Sequence, residues 1–226
     1  MIPSLQKTYD VSAIQATRHR VLRNTYWLLA LSMIPTVFGA YVGVQTALPM
    51  FAGGFGLLMF QLLAFGFIFA IEKTKNSAAG VPVLLGFTFF MGLMLSRLIG
   101  HILGFSNGTM LIMTAFAGTG GVFLGMAALS SVIKRDLSTM GKFLFIGAIM
   151  LLVGMVLNIF LQSPALFVTI AVLMVGIFSA FILYDLKRVR DGEETNYISA
   201  TLNVYLDLYN IFQALLSLLG FAGSRE

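Results

Sequence analysis

The sequence predicts an all-α integral membrane protein with seven transmembrane helices, helix seven enclosed by helices one to six. Three observations carry that prediction. The 226 residues are 58% hydrophobic and only 10% charged, where a soluble domain has about 25% charged residues, and mean hydropathy is +0.93. The few charges cut the chain into apolar blocks long enough to cross a bilayer once or twice. The lysines and arginines fall in alternate connections between those blocks.

The blocks are read in order. Asn24 to Ile71 carries no charge and suffices for two spans, with "GVQTALPM" as the break and Pro49, Gly53 and Gly54 as punctuation. Asn76 to Ser96 is the third span. In Leu98 to Ile133, "IGHILGFSNG" reads as a loop and Thr109 to Ile133 as the fourth helix. Phe143 to Tyr184 holds spans five and six, split at "LQSPA", with helix six ending near Leu186. Ile198 to Phe221 is the seventh, interrupted only by Asp207. Residues 1–226 thus form one membrane domain. Met1 to Arg23, polar and charged, reads as an N-terminal tail and not as a cleavable signal.

The cation tally orients the bundle. Lys7, Arg18, Arg20 and Arg23 lie in the tail, and Lys73 and Lys75 follow helix two. Lys134, Arg135 and Lys142 follow helix four; Lys187, Arg188 and Arg190 follow helix six. The opposite side has only Arg97 and Arg225. The positive-inside rule then puts the N-terminus in the cytoplasm and the C-terminus outside. The net charge of +5 is spread over these short loops and suits topology better than nucleic-acid binding. Such a chain belongs in a bacterial inner membrane.

The connections are too short for a catalytic domain, so any chemistry must lie between helices. Cysteine is absent, and the only histidines, His19 and His101, do not join a Ser/His/Asp set at one depth. An enzyme therefore has no visible machinery. Arg97 and His101 read as interfacial anchors at the outer end of helix three.

Two carboxylates stand out. An Asp at the centre of a membrane helix costs about 2.5–3.5 kcal/mol on insertion scales, and such residues mark pathways or relays. Asp207 shares a helix face with Asn203 and Asn210, a stripe that Ser217 continues and Gln213 flanks. A polar seam of this kind requires an enclosed helix; its bland alternative is interhelical hydrogen bonding. Asp185, at the cytoplasmic end of helix six, reads either as a partner of Asp207 or as a carboxylate paired with Lys187 or Arg188. Helices six and seven are antiparallel neighbours, but the two acids differ in depth by one to two turns if helix six ends near Leu186. Brought together, they would titrate as a unit and share a proton. Once that proton left, a hard cation such as Ca²⁺ would find two carboxylates, amide oxygens and water, a weak ligand set suited to transient passage. Gly121 and Gly125 form a GxxxG that predicts tight helix packing.

The segments "FILYDLKRV" and "YLDLYNIFQALLSLLG" resemble the signature of the Bax inhibitor-1 family, and "VLRNTYWLLAL" with "GEETNYISATLNVYLDLYNIFQALLSLLGFAGS" resemble its bacterial YccA-like branch. The resemblance spans nearly the whole chain. It implies a seven-helix fold with the last helix enclosed by two groups of three. In channel-like members it implies a pH-sensing aspartate pair that gates a calcium leak, here Asp185 and Asp207. Such members also carry a Glu and an Arg on helix two, the Arg locking the closed state; here Gln61 and Glu72 stand in that region, with no Arg. The branch further implies a modulator of a membrane-bound AAA protease of the FtsH type, engaged through the cytoplasmic tail. Some members of the branch lack the aspartates, so the protease role does not need them.

Overall fold

The computed structural model describes residues 3–46 and 53–223, with side chains from Thr17 onward in the first helix and from Met59 onward in the second. Seven helices and no strand occur among the described residues: α1 (Pro3–Thr46), α2 (Gly53–Thr74), α3 (Gly80–Leu103), α4 (Gly108–Val132), α5 (Met140–Leu161), α6 (Pro164–Asp191) and α7 (Tyr197–Gly223). By length and composition, six apolar stretches can cross a bilayer: Thr17–Thr46 of α1, and the whole of α3 to α7. The 22-residue α2 carries no charge before Glu72. Pro49, within the break between α1 and α2, lies outside the described residues.

Most boundaries follow local chemistry. Ser163 caps α6, its hydroxyl accepting from the Leu166 N–H at 3.3 Å with Pro164 at the first helical position. Gly192, at φ +83°, ends α6 in the left-handed conformation. Asn196 caps α7: its Oδ1 accepts from the N–H groups of Ile198 (2.9 Å) and Ser199 (3.2 Å). Its Nδ2 donates to the Lys75 carbonyl at 3.1 Å, which ties the start of α7 to the α2–α3 turn. In the α4–α5 connection, the N–H and hydroxyl of Ser138 both donate to Asp136 and hold its carboxyl below the usual range.

Three boundaries differ from the sequence reading. The tail is helical from Pro3 and continuous with the first apolar stretch, giving one helix of 44 residues. α3 runs on through Ile99–Leu103, where a loop was expected. The reason is tertiary: Ile102 is fully buried against Ala115 of α4 and Leu216 of α7, and that burial outweighs the two glycines nearby. α6 continues past Leu186 to Asp191. There the guanidinium of Arg190 donates to the Ser130 carbonyl and, at 2.9 Å, to the Ile133 carbonyl, capping the end of α4.

α7 packs against α1, α2, α3, α4 and α6, and not against α5. Enclosure by all six helices therefore needs one correction. α5 packs on α6 alone, through half-buried positions such as Gly147 and Gly154; of its residues only Leu151 is buried, and most of the remainder is apolar and exposed. The core that surrounds α7 includes Leu84 and Phe87 of α3, Ile71 of α2 and Ile182 and Leu186 of α6, all fully buried.

The tightest contact is between α1 and α3. A Cβ at Gly39 would run into the Phe89 carbonyl, one at Gly92 into the Thr36 carbonyl, and one at Gly43 into the Ser96 side chain. Glycine is required because backbone meets backbone. Gly39 and Gly43 are themselves a GxxxG. The expected contact at Gly121 and Gly125 is not made within the chain: both lie on an exposed face of α4, where a Cβ meets nothing within 4 Å.

Candidate functional site

Asp185 and Asp207 are both buried, at 8% and 5% exposure. Neither points into lipid. Extending α6 to Asp191 sets Asp185 six residues inside its end, and Asp207 lies ten residues inside the start of α7. At 1.5 Å per residue the depths are roughly 9 and 15 Å, so the mismatch shrinks to about one turn. Asp185 acts electrostatically on Asp207, and no hydrogen bond joins the two among the described residues.

Their surroundings differ. Asp185 faces Arg188 on its own helix, Nη1 to Oδ1 3.8 Å, and Arg188 also reaches Glu193 at 3.6 Å. Asp207 Oδ2 is fully buried and has no hydrogen-bond partner among the described residues. A buried oxygen in that condition is rare because it forfeits hydration without replacement. The bland alternative for helix seven, a hydrogen-bonded seam, therefore does not describe Asp207.

The supporting residues divide. Asn210 Nδ2 donates back to the Leu206 carbonyl of its own helix at 2.8 Å and does not serve Asp207. Asn203 is half-buried. Gln213 and Ser217, further along α7, line a cavity of about 310 Å³ between α5, α6 and α7, well removed from the acids. The two expected contributors on helix two are corrected. Gln61 is exposed. The Glu72 side chain is 59% exposed and pairs with Lys75; it is not among the charges acting on Asp185 or Asp207. Both lie on the outer side of α2, which touches α7 only lightly. Among the described residues no three metal-ligating side chains converge.

Sequence reading missed the polar contacts that hold α7 in place. Tyr205 is fully buried. The Thr36 hydroxyl donates to the Ser32 carbonyl at 2.8 Å, so the Tyr205 hydroxyl donates to Thr36 Oγ1 at 2.9 Å, with the Thr88 carbonyl 3.4 Å away. The Thr201 hydroxyl donates to the Tyr197 carbonyl of its own helix at 2.7 Å, with the Thr25 carbonyl of α1 3.4 Å away. These groups connect α7 to α1 and α3 two residues before Asp207 and one and a half turns before it. Their only signal in the sequence is a hydroxyl inside an apolar run, which does not reveal its partner. Tyr205→Phe is expected to lower stability by about 0.5–1.5 kcal/mol, the range for one interhelical hydrogen bond, read as a shift in thermal unfolding in detergent.

Comparison with known proteins decides the family. Residues 18–224 match the profile of the family described as "Inhibitor of apoptosis-promoting Bax1". The chain belongs to this family. It is 37% identical over 98% of both chains to "Modulator of FtsH protease YccA" of Escherichia coli (strain K12). It is likewise 36% identical, over 99% of this chain and 96% of the relative, to an "Uncharacterized membrane protein" of Vibrio cholerae. A further Escherichia coli relative, also 37% identical over 98% of both chains, is named "Inner membrane protein YccA". The chain is a multi-pass protein of the bacterial inner membrane.

Proposed function

We propose that this member of the family modulates a membrane-bound AAA protease of the FtsH type. It does so from a bundle of seven spans, with the N-terminus in the cytoplasm and the C-terminus outside, and it engages the protease through the tail Met1 to Arg23. One observation carries the reading. The family profile begins at residue 18, yet the similarity to the named protease modulator covers 98% of this chain. That coverage must include most of the segment ahead of residue 18. Most of the tail ahead of residue 18 is thus shared with a protease modulator while lying outside the matched family profile.

The helix geometry supports a tail that transmits force or position. It continues α1 without a break, and its root is packed: Val21 is buried against Val189 of α6 and Ala200 of α7, and Arg18 lies against Gly192. Deleting residues 2–16 spares that root. The expected result is a folded protein that no longer co-purifies with the protease and no longer alters degradation of a membrane substrate. Undiminished co-purification and unchanged proteolysis would reject the assignment.

A second reading is favoured by Asp207 Oδ2, buried without a partner beside Asp185. A fold that keeps such a group supports a pH-sensitive leak for a cation such as Ca²⁺. The two carboxylates titrate as a coupled pair in the closed state, with no hydrogen bond between them among the described residues, and loss of their proton drives the helices apart or admits the ion. Arg188, which bridges Asp185 and Glu193, supplies the cation that helix two lacks. The two functions use opposite parts of the chain and are compatible. Neither reading involves catalysis.

A further inference from the structure

The cavity between α5, α6 and α7 belongs to neither function. It lies at the end of the bundle where α5 ends, α6 begins and α7 ends, away from Asp185 and from the tail. Its volume of about 310 Å³ is within the range of small-ligand sites, roughly 300–1,000 Å³. Phe167, Ile170 and Met174 of α6 form its apolar wall, and Asn158, Gln213 and Ser217 are its polar lining. No charged residue lines it.

The polar groups are oriented and available. Asn158 Oδ1 accepts from the Ser163 N–H at 3.0 Å, which fixes the amide and leaves the Nδ2 donors for the cavity. Gln213 is exposed and has no hydrogen-bond partner among the described residues. An amide facing hydrocarbon without an acceptor is strongly unfavourable. Asn158 is three residues from the end of α5, and Ser217 six from the end of α7. These offsets place them about 5 and 9 Å from the helix ends, with Gln213 one turn deeper.

We propose that this cavity binds one membrane glycerophospholipid. An acyl chain lies along Phe167, Ile170 and Met174, and the ester carbonyls, which sit just beneath the headgroup, accept hydrogen bonds from the Asn158 and Gln213 amides. Three facts select this occupant. The site faces the bilayer, because α5 packs on nothing but α6. Its uncharged lining suits the ester and chain and offers nothing to a phosphate. Asn158 and Ser217 lie within about 9 Å of the helix ends, toward the level where a bilayer presents carbonyl acceptors, and the Gln213 amide lines the same cavity from one turn deeper. A transmembrane helix of a partner satisfies its own backbone carbonyls and would leave the Gln213 amide unserved.

Native mass spectrometry of the full chain tests the site, using added dioleoyl phosphatidylethanolamine and its ether-linked analogue. The expected result is one ester-linked lipid per chain, retained at energies that strip all others. The ether lipid should be held about tenfold more weakly, the size of one good hydrogen bond. Ser217→Phe, which fills the cavity, should reduce retention about tenfold; Gln213→Leu, which keeps bulk and removes the amide, should reduce it several-fold. Phe160→Ala, on the exposed surface of α5 and outside the lining, should change nothing. Thermal unfolding checks that each variant is folded; if Ser217→Phe is not, Gln213→Leu and the ether lipid decide. Absence of a one-to-one species would overturn the proposal. So would equal retention of ester and ether lipids, or equal loss in Gln213→Leu and Phe160→Ala.

Discussion

Gly92→Val is expected to destabilise the bundle by more than about 3 kcal/mol, toward the upper end of what overpacking does. A Cβ at residue 92 would collide with the Thr36 carbonyl and come within 2.9 Å of the Ala40 nitrogen. Both are backbone atoms of a helix and cannot turn aside as a side chain can. α1 and α3 would have to separate along the contact, and Gly39, Gly43 and the Tyr205–Thr36 hydrogen bond would loosen with it. Gly121→Val is the matched control. It places the same side chain in a GxxxG where a Cβ meets nothing, so its effect should stay within about 0.5 kcal/mol, as for a surface change. Denaturant or thermal unfolding in detergent separates the two variants. Equal effects would mean that α4, and not α1, carries the close helix contact.

Asp207→Leu is expected to raise stability by about 1–3 kcal/mol while abolishing pH-dependent cation flux. Leu is bulkier than Asp, which takes back part of the gain by overpacking, but it requires no hydrogen bond, and replacing buried ionic groups by apolar ones is often stabilising. Asp207 Oδ2 has no partner to lose. The flux follows the opposite logic. With Asp207 gone, Asp185 keeps Arg188 and the electrostatic influence of Glu194 but has no carboxylate on α7 with which to titrate. Calcium entry into liposomes, followed at pH 6 and pH 8, should then show no pH dependence. A fall in stability with flux unaltered would show that Asp207 is structural, and the leak reading would go with it.

The contrast between these residues explains how much the sequence disclosed. Asp185 and Asp207 were legible because a carboxylate in an apolar run is rare and its expense is local. The helix break at "LQSPA" was legible because Pro and capping side chains act on their own segment, whereas the end of α6 at Gly192 was not, since α6 runs past Leu186 to Asp191. The glycines were not. Gly39 with Gly43 and Gly121 with Gly125 have the same spacing, and only the arrangement of α1 against α3 distinguishes a contact from an open face. The run of α3 through Leu103 was hidden for the same reason, since the burial of Ile102 depends on Ala115 and Leu216. Helix two misled because Gln61 and Glu72 were placed by analogy of position; each faces outward. The separation of α5 from α7 had no local signal, for α5 is as apolar as a buried helix would be.

Reconstituted proteolysis tests the division of labour most directly. A membrane substrate is degraded by an FtsH-type protease in liposomes with the full chain, with residues 2–16 deleted, or with Asp207→Asn. Restraint of the protease should vanish with the deletion and survive Asp207→Asn. If the shortened chain still restrains the protease, or Asp207→Asn alone releases it, the tail is not the point of engagement.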